Sequence, residues 1–272
     1  MKTSKDEQLC GVLDPSLPYR IVRFDTLPST NAYLLRLARE GENEGLVVVA
    51  AAQSEGKGRF SRVFYSPDGT GVYMSLLLRP AFAPEHFPLL TALAGTAAAE
   101  AAEAISQKTV GIKWVNDLYI GKKKICGILA ESGTTDNAKS SLQNSRFVVL
   151  GIGINLYMPP SVPDALSDKM GALFDAKQPN PQMREGFIRT FLSRFHTYYT
   201  QMPETAFMDN YRRRSVLTGK RVFLHNAARD TAKEGKGELV TVLDIDKDGA
   251  LLVADGAGNV RRVNAGEVTL SI

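Results

Sequence analysis

The sequence predicts a mixed α+β fold, in which a β-sheet is covered by helices and followed by a small C-terminal β-domain. Up to about residue 214, apolar runs rich in β-branched residues alternate with segments of helical character. From Gly219 onward the chain changes to short alternating strands separated by turn signals such as "KDG" and "DGAGN", which is typical of a small SH3-like β-barrel. We therefore divide the chain into an N-terminal tail (1–20), a large domain (21–216) and a C-terminal β-domain (217–272).

The first half of the large domain is predicted to contain strands at "YRIVRF", "GLVVVAAAQ" and "GVYMSLLLRP". The segment "STNAYLLRLAREG" is predicted to be a helix with Ser29 or Thr30 as N-cap, Leu34 and Ala38 on its apolar face, and Gly41 at its end. The alanine-rich "FPLLTALAGTAAAEAAEAIS" is predicted to be a second helix that opens near its proline.

The second half of the large domain is predicted to contain strands at "GIKW", "DLYI" and "KKICGILAES", with "GKKK" as a tight turn. The polar "NAKSSLQNS" is predicted to be a loop, "RFVVLGIGINL" a buried strand, and residues 181–202 and 204–214 helices. The short strands of the C-terminal β-domain are expected in "KRVFLHNA", "GELVTVLDID", "GALLVADG" and "NVRRVNAGEVTL".

Composition excludes several classes of protein. The 272 residues are 44% hydrophobic and 23% charged, as in an ordinary globular protein. No apolar run is long enough to cross a bilayer, and "MKTSKDEQLC" lacks the core of a signal peptide, so we expect a cytoplasmic protein. Cys10 and Cys126 have no spacing partner for a disulfide framework or a zinc site. The net charge of +4 fits an anionic small substrate as well as a nucleic acid.

A cationic loop, "SEGKGRFSR", directly follows the predicted strand "GLVVVAAAQ". Glycine allows the backbone to approach a ligand closely, and Lys57, Arg59 and Arg62 indicate that this ligand is an anion. The loop lacks the spacing and the hydroxyl of a Walker motif. On these residues alone, a solvated surface loop is an equal alternative.

The stretch "GIKWVNDLYIGKKKICGILAE" holds the single tryptophan, Trp114, between Lys113 and the pair Asn116–Asp117. The pair could form nothing more than an Asx-type turn. Lys124 stands at the edge of the buried run "ICGIL", so it either extends to water or meets an anion as a compact point charge. The tight turn should expose the other two lysines of "GKKK".

The stretch "VVLGIGINL" contains Gly151 and Gly153 but lacks the third glycine of a dinucleotide fingerprint. Two glycines in a buried strand mark close approach by a ligand or by neighbouring backbone. Asn155, which ends the strand, is either an amide of a site or a turn residue. The three histidines are scattered, so their spacing supports neither a hydrolase triad nor a metal cluster.

Taken in order, "STN", "QSEGKGR", "SPDGTGVYMSLLL", "KWVNDLYIGKKKICGILAE" and "VVLGIGINL" resemble the biotin–protein ligases over nearly all of the chain from about residue 22. The most specific element is "KWxND" with the downstream "KxxGILxE". The resemblance implies a class II synthetase-like catalytic domain that uses ATP with Mg²⁺. It also implies that biotin is activated as biotinyl-AMP and transferred to a lysine of a biotin carboxyl carrier protein, such as a subunit of acetyl-CoA carboxylase.

The resemblance also assigns residues, by motif. Biotin would be contacted by Ser29, Thr30, Asn31, Gln53, Lys57, Gly58, Arg59, Lys124 and Gly151. ATP or the adenylate would be contacted by Lys57, Phe64, Lys113, Trp114, Asn116, Lys124, Gly153 and Asn155. Lys124, Arg59 and Asp117 would act in catalysis, with Lys124 at the reacting oxygens and Asp117 at the incoming lysine. It assigns no protein ligand for Mg²⁺.

The chain departs from the usual family pattern in its cationic loop. The family loop usually reads Gly-Arg-Gly-Arg, whereas here Lys57 replaces the first arginine and Phe60–Ser61 follow the second. Phe64 stands where the family often has tryptophan. Some members carry an N-terminal winged-helix DNA-binding domain, for which the tail of about twenty residues has no room. We therefore expect no repressor function, no DNA or membrane partner, and a monomer or homodimer.

Two other functions compete with this interpretation. A lipoate ligase or octanoyltransferase has a similar fold, but "KWxND" and the "GKGR" loop favour biotin. A non-enzymatic biotin sensor or nucleic-acid-binding module is compatible with an SH3-like tail and a basic pI. The full set of adenylation residues argues against it.

Overall fold

The structure, a computed structural model, describes residues 8–10, 14–136, 146–175, 180–225, 237–264 and 266–270. The helices of these residues are α1 (Thr30–Arg39), α2 (Leu89–Ser106), α3 (Asp164–Ser167), α4 (Pro181–Tyr199) and α5 (Phe207–Arg213). Their strands are β1 (Gln8–Cys10), β2 (Arg20–Leu27), β3 (Leu46–Gln53), β4 (Gly71–Leu78), β5 (Gly111–Lys113), β6 (Asp117–Ile120), β7 (Lys123–Thr134), β8 (Arg146–Asn155), β9 (Arg221–His225), β10 (Glu238–Ile245), β11 (Leu251–Ala254), β12 (Val260–Val263) and β13 (Glu267–Leu270).

The large domain is built on an eight-stranded mixed sheet in the order β1-β2-β3-β4-β8-β7-β6-β5. Strands β2 and β3 are parallel, and the other neighbours are antiparallel. Because side chains alternate along a strand, each face of the central strands is apolar and packs against its own layer. Helices α2, α4 and α5 pack with one face in the main core, and α1 packs with the other face in a smaller core.

Local sequence explains the start and the position of α1. The side chain of its N-cap residue, Ser29, accepts a hydrogen bond of 3.4 Å from the backbone N–H of Ala32. Leu34 and Ala38 are fully buried against the sheet, as their helical spacing predicts. The chain turns after the helix at Gly41, whose φ of 99° lies in the left-handed region that favours glycine. The helix therefore presents its first turn at a fixed place on the sheet.

The C-terminal β-domain is a five-stranded antiparallel sheet in the order β12-β11-β10-β9-β13. Over the described residues its two edge strands do not pair with each other, so the sheet matches an SH3-like arrangement without closing into a barrel. It is joined to the large domain by the indole N–H of Trp114, which donates to the backbone oxygen of Gly249 at 2.9 Å. An ion pair between Arg212 and Asp244 adds a second link.

Most of the predicted elements are confirmed, and two predictions differ from the structure. Strand β1 lies inside the segment predicted to be a tail, and the stretch "NVRRVNAGEVTL" forms two strands, β12 and β13. The predicted polar loop "NAKSSLQNS" lies outside the described residues. In the part of the chain that the structure describes, no helix is both long and apolar enough to span a membrane.

Candidate functional site

A pocket of about 670 Å³ opens between the large domain and the C-terminal β-domain. It is surrounded by the start of α1, the end of β3, the cationic loop after β3, the start of β6, the middle of β7 and β8, and the start of β13. Of the residues that the sequence assigns to a site, it is lined by Ser29, Thr30, Asn31, Gln53, Lys57, Gly58, Arg59, Phe64, Lys113, Trp114, Asn116, Asp117, Lys124, Gly151 and Gly153. The sequence therefore predicted a set of residues that share one cavity although they are far apart in the chain.

One end of the pocket is a network of neutral polar side chains. Gln53 Oε1 accepts from the backbone N–H of Thr30 at 2.9 Å and lies 3.1 Å from Thr30 Oγ1. Gln53 Nε2 donates to Ser66 Oγ at 3.0 Å, which orients the amide. Asn31 lies beside Thr30 and is buried. Groups that are held in this way are suited to a neutral ligand with both donors and acceptors.

Gly151 makes room for Asn31. Strand pairing places Gly151 between Ser75 of β4 and Leu129 of β7, and the Asn31 side chain lies over this row. A Cβ atom on residue 151 would lie 2.1 Å from Asn31 Oδ1. The close approach predicted for this glycine is thus made by a side chain of the protein.

A second row of small residues supports an aromatic ring. Gly153 pairs with Gly127 across the strands, and the ring of Phe64 lies on both glycines. A Cβ atom on residue 153 would lie 2.5 Å from Phe64 Cε1, and one on residue 127 would lie 3.2 Å from Phe64 Cε2. Phe64 remains half-buried, so its ring forms a flat apolar wall of the pocket.

The cationic loop bridges the two domains. Arg62 binds the carboxylate of Glu267 through both terminal nitrogens, at 2.5 and 2.6 Å. Arg59 donates to Asn116 Oδ1 and to the backbone oxygen of Gly266, both at 3.1 Å. Phe60, at the tip, has a φ of 55°, which is uncommon for a residue with a side chain. The loop is therefore held over the pocket by contacts with the start of β13.

A group of charged side chains forms the other end of the pocket. Lys124 Nζ lies 2.6 Å from Asp117 Oδ1, and the Lys113 ammonium lies 5.8 Å from the centroid of the Tyr119 ring. Burial lowers the pKa of Lys113 and that of Arg59, because a charge out of water is less stable. Burial also raises the pKa of the Tyr119 hydroxyl to about 12. The pocket is lined by two carboxylates, Asp117 and Glu267, and by a larger number of lysine and arginine side chains, so it has an excess of positive charge suited to an anion.

Two predicted residues have structural partners that the sequence did not indicate. Trp114 is buried and binds Gly249 of the C-terminal β-domain, although part of it lines the pocket. Asn155 lies outside the pocket lining, where its Nδ2 donates to the backbone oxygen of Gly171 at 3.0 Å. Its Oδ1 is buried without a hydrogen-bond partner among the described residues.

The structure adds pocket residues that sequence reasoning missed. Those on the loop and in the large domain are Phe60, Val63, Met74, Tyr119, Lys122, Gly127, Ile128, Leu129, Ile152, Ala165, Leu166 and Lys169, and those on β13 are Glu267, Val268 and Thr269. Phe60 and Lys122 lie inside stretches that were singled out, so proximity in sequence could have found them. Nothing in the sequence links β13 to the loop, because their contact depends on how the two domains dock.

Comparisons with known proteins agree with this geometry. Residues 23–155 match the model of the "Biotin/lipoate A/B protein ligase family", and residues 231–271 match the "Biotin protein ligase C terminal domain". The two matched regions together make up more than half of the chain.

Two similar proteins are named as ligases. The chain is 36% identical over 73% of its length to a "Bifunctional ligase/repressor BirA" of Bacillus subtilis, and the match spans 59% of that protein. It is 29% identical over 88% of its length to a "Biotin--[acetyl-CoA-carboxylase] ligase" of Mycobacterium tuberculosis, covering 85% of that protein. The chain thus covers less than two thirds of the Bacillus subtilis relative.

A solved structure confirms the fold. The "Biotin protein ligase from Aquifex aeolicus in complex with biotin and ATP" has a TM-score of 0.72 and 25% identity to the chain, over 92% of this chain and 98% of that one. Its mixed sheet with helices and its small C-terminal sheet correspond to those described here. The sequence motifs, the two matched regions and the fold agree: residues 23–155 form a domain of the biotin/lipoate A/B protein ligase family, and residues 231–271 a biotin protein ligase C-terminal domain.

Proposed function

We propose that the chain is an ATP-dependent biotin–protein ligase, which joins biotin to ATP as biotinyl-AMP and then transfers the acyl group to a lysine of a carrier protein. The observation that carries this proposal is a single pocket with a neutral polar network at one end and a cluster of cations at the other. Biotin has the same two parts, a neutral cyclic urea and a carboxylate. The match of the second domain to biotin ligases favours biotin over lipoate.

The polar network supports recognition of the cyclic urea. Thr30, Asn31 and Gln53 supply donors and acceptors that the sheet already orients, so few of them have to be ordered on binding. Met74 and Ile152 add apolar contact surface for the hydrocarbon part of the ligand. In this arrangement the carboxylate points toward the cationic end.

The first step joins two anions. A carboxylate oxygen of biotin attacks the α-phosphorus of ATP, a new C–O–P linkage forms, and the bond to pyrophosphate breaks. Carboxylate and triphosphate repel each other, and Lys124, Lys57 and Arg59 supply fixed positive charge where they meet. Lys113 adds a fourth cation at the same end. This role is consistent with the positions of all four cations on one pocket.

The second step moves the acyl group. A neutral lysine amine of the carrier attacks the acyl carbon, the amide bond forms, and AMP leaves with the electron pair of the broken C–O bond. Lysine is protonated near neutral pH, so it must lose a proton first. Asp117 lies 2.6 Å from Lys124 and so sits beside the reacting atoms, where its carboxylate orients the amine or takes that proton.

Magnesium is proposed as part of the nucleotide substrate. Among the described residues, no three carboxylate, imidazole or thiol groups come together as a metal site. Mg²⁺ in nucleotide sites keeps several waters and needs no more than one or two protein carboxylates beside the phosphates, and we assign the ion here mostly to the triphosphate and to water. The loop over the pocket has the further role of keeping water from the reactive anhydride.

The proposal extends to the setting of the reaction. The acceptor is a biotin carboxyl carrier protein, the site of action is the cytoplasm, and no DNA or membrane takes part.

The large domain ends near residue 216 and the C-terminal β-domain begins at 217. Monomer and homodimer both satisfy this reaction scheme, because all the residues assigned to it lie on one chain.

The proposal is tested by incubating the purified protein with Mg-ATP and biotin, lipoate or octanoate, and by detecting acyl-AMP by mass spectrometry. We expect adenylate from biotin alone. Lys124→Ala should lower its rate by about two to three orders of magnitude, as removal of an electrostatic stabiliser does. Lys123→Ala is the matched control, since Lys123 is exposed and outside the pocket. Adenylate formed from lipoate instead would show that the protein is a lipoate ligase. If none of the three acids gave an adenylate, the proposal that the protein is an enzyme of this kind would be refuted.

A further inference from the structure

Glu131 controls the orientation of a pocket residue without lining the pocket itself. It lies on β7 at the end of the motif "KKICGILAE", and its Oε2 accepts a hydrogen bond of 2.8 Å from Asn31 Nδ2. The same nitrogen lies 3.4 Å from the backbone oxygen of Leu129. A carboxylate and a carbonyl can only accept hydrogen bonds. Asn31 must therefore turn its NH₂ group toward β7 and its amide oxygen away from it.

The oxygen of Asn31 in turn fixes the proton of Ser75. Ser75 is completely buried, and its Oγ lies 2.5 Å from Asn31 Oδ1. Because Oδ1 carries no proton, the single hydroxyl proton of Ser75 lies between these two atoms. Ser75 Oγ then presents only lone pairs to Thr30 Oγ1, which is 2.7 Å away. The proton in that second contact must come from Thr30.

The direction of these hydrogen bonds decides what Thr30 offers to a ligand. Thr30 has one hydroxyl proton and two possible acceptors, Ser75 Oγ at 2.7 Å and Gln53 Oε1 at 3.1 Å, and the shorter contact with Ser75 takes it. With its proton directed at Ser75, the Thr30 hydroxyl has a free lone pair for the pocket. Gln53 Nε2 uses one of its two protons on Ser66 and keeps the other. The wall thus presents an acceptor at Thr30 and a donor at Gln53.

We propose that Glu131 is a positioning residue that sets the direction of the hydrogen-bond chain Glu131–Asn31–Ser75–Thr30, and that Ser75 transmits it. This inference rests on the proposed function. A cyclic urea carries an N–H donor next to a C=O acceptor, so its N–H would meet the acceptor at Thr30 and its oxygen the donor at Gln53. Without an acceptor at residue 131, only the longer contact with the Leu129 backbone oxygen, at 3.4 Å, still favours this orientation, and the Asn31 amide can flip. The chain then loses its single direction, and the arrangement with an acceptor at Thr30 becomes a minor one, which lowers the apparent affinity for biotin by the fraction lost.

The test compares biotin binding by calorimetry in the wild-type protein, in Glu131→Leu and in Glu131→Gln. We expect Glu131→Leu to raise the dissociation constant about tenfold, which corresponds to about 1.4 kcal/mol, the scale of one hydrogen bond. The KM for biotin should rise with it, while kcat at saturating biotin and the KM for ATP stay constant. Glu131→Gln should restore binding, because its amide oxygen accepts the same bond. Glu42→Leu, at a half-buried glutamate outside the pocket lining, is the matched control.

A double-mutant cycle tests the transmission. Ser75→Ala should weaken biotin binding to a similar extent, and the double variant with Glu131→Leu should be no weaker than either single variant, since both break one chain. Thr96→Val removes a different buried hydroxyl, in α2, and should leave biotin binding unchanged. Additive effects of the two substitutions would overturn the proposed transmission.

The outcomes separate this inference from the proposed function. A wild-type protein that does not bind biotin would overturn both. Wild-type binding with an unchanged dissociation constant in Glu131→Leu would overturn only the role of Glu131. Equal losses in Glu131→Leu and Glu131→Gln would show that the charge is needed, and not the hydrogen bond, which would also overturn it. A purely structural role predicts a lower melting temperature with unchanged affinity.

Discussion

The support of Phe64 by two glycines leads to a quantitative prediction for Gly153→Ala. The new Cβ would lie 2.5 Å from Phe64 Cε1, 2.8 Å from Cζ and 3.0 Å from Cδ1. Carbon atoms in contact are separated by about 3.5–4.0 Å, so the ring must move by about 1 Å. Overpacking of this kind costs about 1–3 kcal/mol of unfolding free energy. Because Phe64 is half-buried and can move outward, we expect a value near 1 kcal/mol at the lower end of that range.

The larger effect of Gly153→Ala should appear in the reaction, because the ring, which forms a wall of the pocket, is pushed away from β8 and changes the shape of the cavity. Urea denaturation measures the free energy of unfolding, and the rate of biotinyl-AMP formation at varied ATP measures the site. Gly127→Ala should have a smaller effect, since its nearest contact to the ring would be 3.2 Å. Gly256→Ala is the control, because nothing lies within 4 Å of its Cβ position.

A double variant decides whether Phe64 is the cause. In a Phe64→Ala background the ring is gone, and Gly153→Ala should then cost almost nothing, which a double-mutant cycle would report as strong coupling. The reasoning is refuted when Gly153→Ala lowers stability and activity equally with and without the ring. A neutral effect of Gly153→Ala in the wild-type background would refute it as well.

Three further predictions concern other contacts. Burial raises the pKa of Glu267, but the hydrogen bonds and charge of Arg62, together with the charge of Lys113, hold this pKa below its ordinary value of 4.5. The Arg62–Glu267 contact should therefore stabilise the protein above that pH and fade as the pH falls through the lowered pKa. Melting temperatures of the wild type and Glu267→Gln should therefore converge in acid. Leu34→Ala should cost about 2–5 kcal/mol in urea denaturation, because Leu34 is fully buried in the smaller core; a loss below 1 kcal/mol would contradict that packing. Asn155→Ala should lower stability by about 1–2 kcal/mol, since Gly171 loses its donor, yet leave biotinyl-AMP formation near the wild-type rate. A large loss of rate would place Asn155 at the nucleotide instead.

Local signals were sufficient to predict most of the elements. The run of Leu46–Gln53, the cap at Ser29 and the spacing of Leu34 and Ala38 carry their information within a few residues. Strand order could not be obtained in this way, because β4 pairs with β8 across the 67 residues of intervening chain, 79–145. Strand β1 has only three residues, which is too short a pattern to distinguish a strand from an irregular tail.

The candidate site was predictable where motif and cavity coincide. Fifteen assigned residues line the pocket, whereas Asn155 binds the backbone of Gly171, which pattern alone does not show. The glycine pair was correctly linked to close approach, but the approaching groups, Asn31 and Phe64, become visible only once α1 and the loop are placed over β8. The part of the pocket made by Glu267 depends on domain docking, for which a single sequence gives no signal.

The link between Trp114 and Gly249 gives the protein a built-in optical probe. The chain has one tryptophan, its ring is 4% exposed, and its N–H is bound to the backbone of the C-terminal β-domain. Tryptophan fluorescence therefore comes from a single indole, which lies at the junction of the two domains and lines part of the pocket. Separation of the domains would expose that indole to water and shift its emission to longer wavelength. Ligand binding and domain docking can thus be followed in the unlabelled protein.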